Sequence, residues 1–177
     1  MKLIQNIMTI FLFFVLSSNL FGQTQLSLFN AELTHKKLDP SIWKIADQQR
    51  DTHRGLFLYT HKDIKDSAGN NVSSAISIIY EALETNISKD EYAEGWHKRM
   101  QAVLDKKVPR KDLGCVIYYY HYDKEVRHNL VVAYFVCPGN GVQIMADSPK
   151  SIYNKVEYDI QGFIESIKLH TNHKRKQ

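Results

Sequence analysis

The clearest alternation of apolar and polar residues begins at Leu130 and ends at Lys168. The pattern predicts a strand, a tight turn, a second strand and a long closing helix. These are Leu130–Cys137, Pro138–Gly141, Val142–Ala146 and Pro149–Lys168. Apolar residues in the helix recur every three or four positions, which places them on one face. Ser148 is predicted as its N-cap and Pro149 as its first residue, where a missing N–H has no intrahelical partner to lose.

A second helix is predicted over Ser88–Lys106. Ser88 and Glu91 have the spacing of a capping box, in which each side chain accepts a hydrogen bond from the other's backbone N–H. Apolar residues at helical spacing follow and line one face. They are Tyr92, Trp96, Met100, Val103 and Leu104. The segment Lys106–Asp112, which contains Pro109, ends the pattern.

Four further segments predict strands because they are short and rich in β-branched and aromatic residues. They are Ser41–Ile45, Arg54–Thr60, Val72–Leu83 and Cys115–Tyr122. The second and third are predicted to form a long hairpin across the turn-rich loop Lys62–Asn71. Arg54–Thr60 is apolar on both faces, which indicates a central strand. For Gln23–Lys37 a short helix and a loosely held lead-in both remain open.

The elements follow one another as strands, a helix, three strands and a helix. Each helix has one apolar stripe, and several strands are apolar on both faces. This combination predicts an α+β fold with an antiparallel sheet flanked by helices on both faces, an α/β/α sandwich.

The same order of elements resembles a known superfamily. It consists of a strand pair, the helix opening with Ser88-Lys89-Asp90-Glu91-Tyr92, and a meander that ends in a strand and a helix carrying Tyr153, Val156 and Phe163. Over about Ile42–Lys168 this is similar to the superfamily that joins the PsbP subunit of photosystem II to the Ran-binding Mog proteins. The resemblance implies a PsbP/Mog-like sandwich and an accessory or binding role, and it carries over no catalytic residue. No photosystem-binding segment is recognisable, and a chain exported by the N-terminal segment described next cannot meet nuclear Ran, so neither specific activity follows.

The N-terminal residues predict where the protein is located. Lys2 precedes the apolar run Ile7–Leu16, and small and polar residues follow in Ser17–Gly22, which is the pattern of a signal peptide. The alternative is a membrane anchor, but the run is shorter than the roughly 20 residues that span a bilayer. We expect an exported protein, periplasmic or secreted, with no stable membrane anchor after cleavage.

The length of 177 residues favours one domain. The predicted organisation is a signal peptide, an N-terminal lead-in, a single α+β domain and a basic tail. These are residues 1–22, 23–40, 41–168 and 169–177.

The net charge of +4 comes from the two ends of the chain. Five of the 23 cations lie outside Gln23–Ile167, which leaves 18 cations against 19 acids. A neutral body does not predict nucleic-acid binding. The tail is read as a solvated end, with a membrane-surface patch as the alternative.

Two cysteines, Cys115 and Cys137, lie on consecutive predicted strands. In an oxidising compartment a disulfide is one interpretation. Two buried free thiols are another, since tyrosine, valine and phenylalanine surround both. A reactive thiol is a third, and it needs a nearby histidine and a lowered pKa.

A cluster of tyrosines is the remaining candidate for a surface. Alternation along the strand sends Tyr118, Tyr120 and Tyr122 to one face and Tyr119 to the other, and Tyr134 lies on the next strand. Tyr118, Tyr120, Tyr122 and Tyr134 could form a ligand or partner surface, or they could pack beneath a helix.

No sequence motif predicts a catalytic residue, metal ligand or cofactor. The eight histidines lack metal-site spacing, and no dinucleotide-binding, P-loop or nucleophile-elbow motif is present. The leading hypothesis is a non-enzymatic accessory domain that binds another envelope or secreted protein. The alternative is a small apolar-ligand-binding protein with an aromatic pocket between sheet and helix.

Overall fold

The computed structural model describes residues 23–29, 31–84, 86–123 and 126–171. Strands account for 56% and helices for 17% of the structure, so the protein is mostly β. The predicted α/β/α sandwich is therefore wrong. Both predicted helices are shorter than expected, and several segments without a strand-like pattern form strands. The predicted signal peptide and residues 172–177 of the predicted tail lie outside the described residues.

The described chain forms the following elements in order. The strands before the first helix are β1 (Gln23–Ser27), β2 (Ala31–Lys36), β3 (Trp43–Arg50), β4 (Arg54–His61), β5 (Ile64–Lys65), β6 (Asn71–Val72) and β7 (Ala75–Ala82). Helix α1 is Lys89–His97, and helix α2 is Tyr153–Glu165. Between them lie β8 (Val103–Arg110), β9 (Cys115–Asp123), β10 (Arg127–Cys137) and β11 (Asn140–Pro149), and β12 (Lys168–Thr171) follows α2. A single 3₁₀ turn, Lys111–Leu113, precedes β9.

Seven strands form one antiparallel sheet in the order β3-β4-β7-β11-β10-β9-β8. The predicted strand, tight turn and strand at the end of the chain are confirmed, because β10 and β11 meet at Pro138-Gly139. Gly139 has a φ of 76°, a left-handed conformation that favours glycine. The predicted long hairpin is also confirmed, since β4 pairs with β7 and the short β5–β6 pair lies in the loop between them.

The two faces of this sheet carry separate apolar cores. On one face α2 packs its buried stripe of Val156, Ile160, Phe163 and Ile164 against β4, β7, β10 and β11. On the opposite face α1 packs Tyr92 and Ala93 against β9 and β10. Each helix therefore covers only part of its face.

A second, three-stranded sheet in the order β1-β2-β12 shares the face with α2. Ala31, Leu33 and His35 alternate with more exposed residues in β2, and all three are buried. The N–H of Lys36 donates to Ser166 Oγ at 2.8 Å, which ties this sheet to the end of α2. Gln23–Lys36 is thus a hairpin and neither a short helix nor a loose lead-in, and part of the predicted basic tail forms β12.

The predicted start of the closing helix is wrong. Ser148 and Pro149 are the last residues of β11, and the helix begins at Tyr153 without a side-chain cap. Ser148 is buried and accepts a hydrogen bond at 2.8 Å from the hydroxyl of Ser74. The predicted apolar stripe is confirmed, but the helix ends at Glu165 and not at Lys168.

The predicted second helix is right at its start and wrong at its end. The capping box of Ser88 and Glu91 is present, with hydrogen bonds of 2.8 and 3.1 Å. Helix α1 stops at His97, and the expected last turns are strand β8. Val103 and Leu104 are consequently exposed and do not line a helix face.

The outer strands β3 and β8 are both interrupted by shifts in register. The shifts fall between Ile45 and Asp47 and between Leu104 and Lys106. In β8 the bulge lies among charged residues, a combination that opposes the addition of a further strand in register. In β3 the residues after the bulge, Asp47–Arg50, pair with β4 without a further shift. Within the described residues no helix is long and apolar enough to cross a membrane.

Candidate functional site

The tyrosines singled out from the sequence lie mainly inside the protein. Tyr118, Tyr120 and Tyr134 are fully buried beneath α1, and Tyr122 is half-buried at the end of the same row. Tyr118 and Tyr134 meet edge to face with ring centroids 5.4 Å apart, and Tyr120 OH lies 3.2 Å from Nδ1 of His97. The expected alternation is confirmed, and the rings fill the space between sheet and helix.

Burial also disfavours ionisation of Tyr120 and Tyr134. It raises the pKa of Tyr120 and Tyr134, because the charged phenolate would lose its hydration. A tyrosine is already neutral at physiological pH, so the raised pKa makes these two phenols still weaker acids, and both hydroxyls take part in hydrogen bonds. The rings thus form an aromatic core, and their hydroxyl groups are the polar atoms at its edge.

Cys115 and Cys137 are free, buried thiols on the same side of the sheet. The register pairs Val116 with Tyr134, so the next step places Phe135 opposite Cys115 and leaves Cys137 two residues away. This diagonal offset exceeds the usual Cβ separation in a disulfide. Burial raises the pKa of Cys115 to about 11 and also raises that of Cys137, which disfavours the thiolate that a nucleophile needs.

The best candidate for a binding site is a groove between the two sheets, here called the inter-sheet groove. Its volume is about 410 Å³. It lies between β1 of the small sheet and β3 of the large sheet, and residues of β4 and β7 form its floor. The residues lining it are Thr24, Gln25, Leu26, Ser27, Ile45, Gln48, Gln49, Arg50, Phe57, Tyr59 and Tyr80.

The floor of the inter-sheet groove is aromatic. Phe57 and Tyr80 are stacked with centroids 6.4 Å apart, and Phe29 packs on Tyr80 at 5.6 Å. Gly55 makes room for the buried Tyr80 ring, since a Cβ there would lie 2.0 Å from Cζ of Tyr80. The hydroxyl of the buried Tyr59 lies 3.4 Å from Nε2 of His35. The floor is thus fixed by packing beneath it.

The walls of the groove are two strand edges. Four consecutive residues of β1 line one side, so the backbone of that strand runs along the opening. β1 and β3 are each the outer strand of their sheet. An outer strand presents backbone N–H and C=O groups that its sheet does not pair. Ile45 adds an apolar side chain to the rim and is 61% exposed.

Arg50 supplies the charge of the groove. Its guanidinium lies 5.2 Å from the centroid of Phe29, a cation–π contact that holds it at one end of the aromatic floor. Among the described residues no carboxylate forms an ion pair with Arg50, whereas Arg54 pairs with Glu81 at 3.3 Å. The groove lining contains no acidic residue. The site therefore combines an apolar floor with one uncompensated positive charge.

An adjoining cleft of about 360 Å³ begins at Arg50 and runs past the β3–β4 turn. Asp51 lines it, but its Oδ1 accepts hydrogen bonds of 2.7 Å from the backbone N–H groups of His53 and Arg54. These bonds lower the pKa of Asp51 and commit the carboxylate to its own turn. Asp51, the acidic residue next to Arg50 in sequence, therefore stabilises its own turn and forms no ion pair with Arg50.

A second cluster, missed in the sequence, joins Tyr122, His128 and Asp147. The carboxylate of Asp147 lies 2.7 Å from Nδ1 of His128 and accepts a 2.6 Å hydrogen bond from Tyr122 OH. A carboxylate that orients an imidazole is an arrangement used for general bases. None of the three lines the inter-sheet groove, and the contacts join the ends of β9, β10 and β11. No three His, Cys, Asp or Glu side chains in the described part of the chain are placed to hold a metal ion.

Comparison of the chain with protein-family models and with curated proteins yields no match. The resemblance to the PsbP and Mog superfamily thus stays a prediction from the order of elements.

Proposed function

We propose that the protein is an exported, non-enzymatic accessory domain that binds another envelope or secreted protein through the inter-sheet groove. The observation that supports this proposal is the combination of a fixed aromatic floor, formed by Phe57, Tyr59 and Tyr80, with two strand edges as walls. Aromatic residues provide contact area with little loss of conformational entropy. Strand edges provide backbone hydrogen bonds to an extended partner segment.

Export is part of the proposal because of the N-terminal sequence. Lys2 and the apolar run Ile7–Leu16 have the pattern of a cleaved signal, which would deliver the protein to the envelope or beyond. A partner is accordingly expected in that compartment.

Site-specific photo-cross-linking in the source cell tests the proposal. A benzophenone amino acid replaces Gln48, in the groove wall, and in a matched variant replaces Tyr158, which is 84% exposed on α2. We expect a discrete cross-linked protein from position 48 and none from position 158, with mass spectrometry giving its identity. Repeated absence of a product from position 48, or equal products from both positions, would contradict the proposal.

A small-ligand function is the second candidate, and the size of the groove favours it. Its volume of about 410 Å³ falls within the roughly 300–1,000 Å³ of small-molecule sites. An apolar ligand would then occupy the groove and not the space under α1, where Tyr118 and Tyr134 are packed. Native mass spectrometry after gentle purification should retain an extra mass that is lost on replacing Phe57 with serine. A spectrum of bare protein would exclude a tightly held ligand.

A further inference from the structure

We propose that the partner segment recognised by the inter-sheet groove is an extended peptide with an acidic side chain at Arg50 and an apolar side chain near Ile45. This inference rests on the proposed function and names the chemistry of its ligand. It follows from three features of the groove: its charge, the spacing of its polar and apolar groups, and its walls.

The charge comes from Arg50 alone. The groove lining has no acidic residue, and within the described chain no ion pair neutralises this guanidinium. Arg54 and Arg110 differ from it, because Arg54 lies 3.3 Å from Glu81 and Arg110 lies 2.8 Å from Asp112. A guanidinium on an aromatic ring, at the edge of an apolar floor, favours a carboxylate that it can bind with two hydrogen bonds.

The spacing comes from the pairing of β3 with β4. Ile45 is opposite Tyr59, and Arg50 is opposite Gly55, so the two groups lie four residues apart along β4 on the same face. At about 3.3 Å per residue this is roughly 13 Å. In an extended peptide, side chains two or four positions apart point to the same side. An acid and an apolar residue four positions apart therefore match Arg50 and Ile45.

The walls of the groove favour an extended peptide over a fatty acid as the ligand. The backbone of Thr24–Ser27 lines one side of the groove, and Gln48–Arg50 line the other. A fatty acid could satisfy Arg50 and the aromatic floor, but it offers no donors and acceptors in series to either strand edge. A peptide strand offers both.

Selection from a displayed library of random decapeptides tests the inference with the purified protein as bait. We expect selected peptides to be enriched in Asp or Glu, with an aliphatic or aromatic residue four positions away. The enrichment of acids should disappear when Arg50→Gln is the bait. It should persist with Arg127→Gln, which removes an exposed arginine on β10 that does not line the groove.

A double-mutant cycle on one selected peptide measures the contact directly. Replacing its acid with the matching amide should weaken binding to the wild-type protein about tenfold. The same replacement should leave binding to Arg50→Gln unchanged, because the partner charge is already absent. An equal loss with both proteins would overturn the assignment of Arg50.

The remaining outcomes separate this inference from the function it rests on. Selected peptides without acids would overturn the charge preference and leave a peptide-binding groove. No enrichment, together with a cross-linked protein from position 48, would overturn the extended-peptide inference alone. No enrichment and no cross-linked protein would overturn both. Binding of palmitate that depends on Arg50, with no peptide selected, would assign the groove to a lipid carboxylate and overturn the inference.

Discussion

Gly55 shows at the scale of one residue how the groove floor is fixed. Its missing side chain leaves room for the Tyr80 ring, which lies 2.0 Å from the position of a Cβ. Tyr80 is buried between Phe29 and Phe57 and cannot move away without disturbing them. We expect Gly55→Ala to lower the free energy of unfolding by about 1–3 kcal/mol, as measured in urea.

Gly95 provides the matched control for that substitution. It lies in α1, and a Cβ there would meet no heavy atom within 4 Å. Gly95→Ala should therefore raise the free energy of unfolding by up to about 1 kcal/mol through helix propensity. If the two variants changed stability in the same direction, the assignment of close packing at Gly55 would be wrong.

His35 connects burial to pH at the same scale. Burial lowers the pKa of this imidazole in the folded protein, and its Nδ1 lies 2.8 Å from the carbonyl oxygen of Lys36. As pH falls through about 6.5 the unfolded chain binds a proton that the folded chain binds only at lower pH, so stability is full above this pH and declines below it.

Urea unfolding at pH 7 and pH 5 tests the role of His35. His35→Gln should be less stable than the wild type at pH 7, but its stability should fall less between the two pH values. The difference in slope is at most about 1.4 kcal/mol per pH unit, the limit for one proton. Identical slopes for the wild type and His35→Gln would refute the assignment.

At the scale of elements, sequence patterns correctly predicted the features that depend only on residues close together in the chain. The capping box of Ser88 and the hairpin at Pro138-Gly139 are both local, and both were predicted correctly. The Ser148-Pro149 pair was misread because a serine before a proline can cap a helix or end a strand, and only contact with Ser74 decides between them. Strand β8 was missed because an outer strand with charged residues lacks an apolar alternation.

The Ser74–Ser148 contact gives a testable prediction for the end of β11. In the folded protein Ser74 donates to Ser148, and Ser148 donates to the carbonyl oxygen of Pro149 at 3.3 Å. Ser148→Ala should lower the free energy of unfolding by about 1–3 kcal/mol, because the Ser74 hydroxyl is left buried without its acceptor. The double variant Ser74→Ala/Ser148→Ala should lose less than the sum of the single losses. Additive losses in urea unfolding would contradict the coupling between these two hydroxyls.

At the scale of the whole molecule, the inter-sheet groove forms through pairing between strands that are far apart in sequence, and sequence patterns did not predict it. The inter-sheet groove combines β1, β3, β4 and β7, and its walls exist only because β1 and β2 join β12 in a second sheet. Sequence patterns predicted the apolar character of β4 and β7, which form the floor. They could not predict which two strand edges would face each other, since that depends on packing around α2. The tyrosines of β9 under α1 cluster in sequence, whereas Phe57, Tyr59 and Tyr80 come together only on folding.

Leu33 in β2 tests whether the second sheet folds together with the first. It is fully buried, and its strand is joined to the main core through His35, which packs 4.7 Å from the ring centroid of Phe163. Leu33→Ala should lower the free energy of unfolding by about 2–5 kcal/mol and shift a single transition. Tryptophan fluorescence from Trp43 in β3, measured in a Trp96→Phe background because the chain has two tryptophans, and far-UV circular dichroism should report the same midpoint. Leu104→Ala, on the exposed β8 edge, should shift that midpoint far less. A wild-type fluorescence midpoint in Leu33→Ala would mean that the first hairpin is an independent attachment and that the groove opens without unfolding the large sheet.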